Sequence, residues 1–112
     1  MAVSLLGSID WHDLPIDALS ITSAGIELVV TPWMENKNAF GRYRLSITEA
    51  EILEVDITGS LSANDSDGLE VNSFDYTLVS SRRISGKIGI LPGDAGHWSI
   101  SFGNANWSLE AA

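Results

Sequence analysis

The 112-residue chain reads as a single all-β domain, 1–112, an antiparallel sandwich or partly open barrel of about seven or eight short strands. Three observations lead there. Apolar residues alternate with polar ones along most of the chain, turn signals recur about every ten residues, and no window of a dozen residues holds the 3.6-residue period of an amphipathic helix.

The elements follow in order. Leu19 and Ile21 alternate with Ser20 and Thr22, and Ser23-Ala24-Gly25 supplies a tight reversal into Ile26, Leu28 and Val30, so an antiparallel hairpin opens the sheet. Pro32-Trp33-Met34 ends its second strand, and Glu35-Asn36-Lys37-Asn38 is a polar loop. Tyr43, Leu45 and Ile47 form the inward face of a third strand. Thr48-Glu49-Ala50-Glu51 has the form of a capping box, so one helical turn competes there with a strand that Leu53, Val55 and Ile57 carry on.

Residues 59–70 are rich in Ser, Asn, Asp and Gly and read as a loop. Phe74, Tyr76 and Leu78 mark the next strand, and Ile84, Gly86, Ile88 and Ile90 the one after. The run Leu91-Pro92-Gly93-Asp94-Ala95-Gly96 is a turn signal. Trp98, Ile100 and Phe102 then alternate with serines, and a last short strand over Ala105–Glu110 carries Trp107 and Leu109.

Composition bounds the function. Six Lys+Arg against fifteen Asp+Glu give a formal net charge of -9, a field that repels phosphate backbones and anionic lipid and speeds encounter with basic partners. Nucleic acid and membrane surfaces are therefore poor candidates as ligands; such an acidic surface reads first as an aid to solubility, and a basic protein partner is the sharper reading. The first residues lack a targeting pattern and no apolar run is long enough for a membrane helix, so a cytoplasmic protein is expected. With no cysteine, no disulfide or thiol chemistry arises. Edge strands poor in lysine leave room for a homodimer.

The richest chemistry lies in Asp10-Trp11-His12-Asp13, with Asp17 close by. Imidazole beside a carboxylate has the makings of a general base or a metal site. Strand alternation, however, sends neighbouring side chains to opposite faces, so these groups converge only if a turn intervenes. The competing reading is structural: His12 or Asp13 bonds the backbone where the chain enters the sheet, while Trp11 or Leu14 plugs one end. His97 is the other histidine, and a ligand set of His12 and His97 with Asp13, or with Asp94, would suit zinc or iron. No cofactor is otherwise implied.

Weaker signals complete the survey. Asn64-Asp65-Ser66-Asp67-Gly68 resembles part of a calcium loop, but Ala63 and Phe74 fall where its first and twelfth ligands should be acidic. Asp65 and Asp67 are then surface charges. No serine sits in a nucleophile elbow. Among the four tryptophans, Trp98 is in register with core residues, whereas Trp33, beside Pro32 at a loop mouth, is expected to be exposed and to form an interaction patch with Met34. An exposed Trp33 or Trp107 would also suit a carbohydrate- or small-molecule-binding module.

The run Trp11-His12-Asp13-Leu14-Pro15-Ile16, followed by Ala18-Leu19-Ser20-Ile21 and the hairpin into Ile26-Glu27-Leu28-Val29-Val30, resembles the opening of small bacterial proteins that place an aromatic-His-Asp element before their first β-hairpin. Some of these are immunity proteins of polymorphic toxin systems. The likeness covers about the first thirty residues, and Pro15 departs from the pattern. It implies an immunity-type protein that neutralises a basic toxin; for such a non-catalytic acidic domain, charge and expected exposure make Asp10, Trp11, His12, Asp13, Asp17, Trp33, Met34, Asp65 and Asp67 the candidate contact residues. A metal-binding protein or metal-dependent enzyme, built on His12, Asp13 and His97, is the alternative.

Overall fold

The computed structural model describes residues 2–58, 68–92 and 96–112. The chain runs through a short helix α1 (Ala2–Ser8) and then β1 (Leu14–Thr22), β2 (Gly25–Val30), β3 (Trp33–Met34), β4 (Ala39–Phe40), β5 (Tyr43–Thr48), β6 (Ile52–Thr58), β7 (Leu69–Leu78), β8 (Arg83–Leu91) and β9 (His97–Ala111). One antiparallel sheet takes the order β5-β2-β1-β7-β8-β9-β6, and β5 also pairs with β9. That second pairing closes six strands into a barrel and leaves β6 outside it. β3 and β4 form a separate two-stranded hairpin.

The expected alternation is what fills the barrel. Ile26, Leu28 and Val30 of β2 pair with Ile47, Leu45 and Tyr43 of β5, which in turn pair with Trp107, Leu109 and Ala111 of β9. Paired residues share a face, so these rows, apart from the exposed Ala111 at the end of β9, meet inside with the buried Ile84, Ile88, Ile90, Ile100 and Phe102. Each fully buried Ile or Leu contributes about 1.5–3 kcal/mol, and no polar or charged residue among those described is buried with them.

One expectation needs correction, one open alternative is decided and one element is new. The last two strands are one 15-residue strand, β9, which continues through Asn104 in the left-handed region at φ 46. An Asn tolerates that conformation because its short polar side chain bonds locally. Thr48 to Glu51 forms no helical turn; Glu49 takes φ 53 and breaks one long edge into β5 and β6, which pair with successive halves of β9. Finally, α1 is a helix no periodicity announced. Seven residues are too few to be stable alone, so packing holds them, with Leu6 fully buried.

Arg83 staples the break. Its guanidinium donates to Asn104 Oδ1 at 2.6 Å, to Asn106 Oδ1 at 2.9 Å and to the Asn104 carbonyl, while Asn104 Nδ2 donates to Glu51 at 2.8 Å and Asn106 Nδ2 to Glu49. Since a fork of fixed donors fits this site, Arg83→Ala should lower stability by about 1–3 kcal/mol in urea denaturation, and Lys should not restore it.

Candidate functional site

The β1–β7 pairing consists of three residue pairs, Leu14↔Val71, Pro15↔Glu70 and Ile16↔Leu69. Just before it the chain turns sharply. The Leu14 N–H donates to the Trp11 carbonyl at 3.3 Å, and Asp13 adopts φ 59 within this turn. The turn overrides strand alternation: Trp11 and Leu14 both point into the core, whereas His12 and Asp13 both face out. This is the turn that convergence of His12 and Asp13 required. Their side chains meet, with His12 Nε2 3.3 Å from Asp13 Oδ2.

Each residue of the cluster has a local task. The indole Nε1–H of Trp11 donates to the Leu6 carbonyl at 3.2 Å, tying α1 to the turn, and its ring meets Phe74 edge-on with centroids 5.2 Å apart. Trp11 is therefore core, not contact surface. Asp10 Oδ1 accepts from the His12 backbone N–H at 3.2 Å. His12 Nδ1–H donates to the Asn72 carbonyl at 2.8 Å. Asn72 is the extra residue where the β7–β8 register shifts between Val71 and Ser73, so the imidazole continues by side chain a ladder the backbone has stopped.

That geometry sets the protonation of His12. The Asn72 carbonyl first, and the Asp13 carboxylate next, hold the imidazolium and raise its pKa above the ordinary 6.5, with Asp10 and Glu70 adding to the effect. A folded pKa above the unfolded one gives stability that is present in full below the unfolded value and is lost as pH rises through the folded value. An NMR titration of the His12 ring should show a midpoint above 6.5 that falls toward it in Asp13→Asn.

The proposed ligand set does not assemble. Among the described residues no group of three His, Cys, Asp or Glu side chains could hold a metal ion. His12 spends Nδ1 on Asn72, and His97 lies instead over Gly89, where an added methyl would come within 3.2 Å of its Nε2. Asp65 and Asp67, with most of the calcium-like run, and Asp94 lie outside the described residues.

His12 and Asp13 instead form one wall of an open groove of about 650 Å³, opposite the β3–β4 hairpin. Ser8, Asp10, His12, Asp13 and Leu14 line one side, and Pro32, Trp33, Met34, Glu35 and Asn36 the other. Trp33 is 48% exposed and stands edge-on against Phe40, itself 68% exposed, with centroids 5.1 Å apart. Met34 does not share that patch. It is 1% exposed and packs in the core, because adjacent strand residues point to opposite faces. Trp107 is likewise buried, which removes it as a ligand platform.

Charge in the groove is uneven. Lys37, the sole cation between Trp33 and Phe40, is drawn away to donate to the Tyr43 hydroxyl at 3.2 Å and lie over its ring. Asp10, Asp13 and Glu35 are exposed and line the groove, and among the described lining residues His12 is the one titratable base. Asp17 stands apart from this lining and accepts from the Thr31 hydroxyl at 2.6 Å. Phe40, Glu35 and Asn36 went unremarked as site residues in sequence. The signal was there in Trp33 and Phe40 as aromatic flanks of a polar loop, which pair directly.

No helix among the described residues is long and apolar enough to cross a membrane. Compared with protein-family models, curated proteins and solved structures, the chain finds no match in any of the three.

Proposed function

We propose that this chain is a non-catalytic binding domain whose groove between the His12-Asp13 turn and Trp33 receives a basic protein partner. The observation that carries this reading is the juxtaposition of three exposed carboxylates, Asp10, Asp13 and Glu35, with an exposed aromatic pair, Trp33 and Phe40. Lysine or arginine side chains of a partner loop would pair with the carboxylates and stack on the indole, and the net charge of -9 would steer the encounter. The likeness of Trp11 to Val30 to the opening of immunity proteins supports a finer reading, in which the partner is a basic toxin held inactive by occlusion.

Co-expression with the basic products of neighbouring genes tests this. The expected result is a stoichiometric complex that salt weakens and that Trp33→Ala or Asp13→Lys weakens by about 2 kcal/mol or more, the scale of an interface hot spot. Failure of every such product to bind, or binding indifferent to both substitutions, would overturn the proposal.

A further inference from the structure

A second surface, remote in the sheet order from β1 and independent of the groove, is the free edge of β6. It ends the sheet and, among the described residues, pairs with β9 alone. Alternate N–H and C=O groups of such a strand point away from its neighbour and stand ready to pair. Natural edges are normally blunted with lysine, proline or a bulge. Ile52–Thr58 contains no Lys, Arg, Pro or Gly, and its pairing to β9 runs in unbroken register.

The two faces of β6 differ in chemistry. Val55 and Ile57, opposite Ile100 and Trp98, are 40% and 53% exposed. Glu54 and Asp56, opposite Ser101 and Ser99, lie on the other face, which begins with the exposed Ile52, and the strand carries no cation. This arrangement decides between occupants. A second copy docking antiparallel with its faces matched and at least five residues of β6 paired would set Glu54 against Asp56, Glu54 against Glu54, or Asp56 against Asp56, according to register. Like charges directly opposite are destabilising.

We propose that β6 is a docking edge that accepts an extended, basic strand from a partner protein, with aliphatic residues laid on Val55 and Ile57 and alternate Lys or Arg beside Glu54 and Asp56. Backbone pairing supplies affinity, and the alternation of basic and aliphatic residues supplies selectivity.

The test is an NMR titration of the full chain with the acetylated and amidated peptide Lys-Val-Lys-Ile-Lys-Val-Lys. The expected result is amide shifts confined to β6 and the facing part of β9. Charge reversal by Glu54→Lys with Asp56→Lys should weaken binding by about tenfold or more, with the spectrum elsewhere unchanged. Of two peptides N-methylated on alternate residues, one should lose binding and the other keep it, a result that does not depend on any variant folding. Equal binding of the Glu-substituted peptide, tolerance of both methylation patterns, absence of β6 shifts, or self-association of the wild type through β6 would each overturn the proposal.

Discussion

Gly25→Ala is expected to cost upwards of about 3 kcal/mol, because it combines backbone strain with a steric clash that neither strand can relieve. Gly25 sits at φ 143, and an added Cβ would lie 2.1 Å from the Ile47 carbonyl oxygen. The residue is clamped on both sides, paired to Thr22 of β1 and to Thr48 of β5. A shift of β2 to accommodate the methyl would therefore disturb two ladders at once. Urea denaturation measures the loss, and a cost under about 1 kcal/mol would mean that the hairpin does not reverse in this conformation.

Trp11→Ala should be comparably severe, at about 3–5 kcal/mol, the usual range for removing a buried large aromatic. The indole fills the end of the core, meets Phe74 edge-on and bonds the Leu6 carbonyl, so its loss loosens α1 as well as opening a cavity. Trp11→Phe separates these contributions: it keeps much of the packing and removes the hydrogen bond, for about 1 kcal/mol. Because Trp11 also begins the turn that presents His12 and Asp13, the Ala variant should shift the His12 ring resonances while the Phe variant leaves them near their native positions. Unchanged His12 resonances in a destabilised Trp11→Ala protein would show the turn to be held by something else.

Period-two alternation made the barrel's inner face legible. Ile26, Leu28, Val30, Tyr43, Leu45, Ile47, Ile88, Ile90 and Ile100 are all buried where alternation places them. Closure was not legible, since it depends on β9 pairing with both β5 and β8, a contact between strands far apart in sequence. Local breaks were hidden for a different reason. Asp13, Glu49 and Asn104 take left-handed conformations without being glycine, so the turn at His12, the β5–β6 break and the kink in β9 carry no glycine signal.

The candidate site was legible in parts but not as a unit. The Asp10 to Asp13 cluster and Trp33 were each conspicuous for composition, yet about twenty residues separate them and only the fold sets them across one groove. Within each part, neighbours divide between surface and core. Trp33 is exposed while Met34 is buried, by strand alternation; His12 and Asp13 are exposed while Trp11 and Leu14 are buried, by a turn that alternation does not anticipate.

The indole N–H signals of the four tryptophans, followed by NMR while the basic partner recovered by co-expression is added, test the groove most directly. The Trp33 signal should shift and the Trp11, Trp98 and Trp107 signals should stay in place, with the His12 ring moving in step with Trp33. A complex that forms while the Trp33 indole and the His12 ring keep their free positions would contradict the assignment of the groove as the binding site.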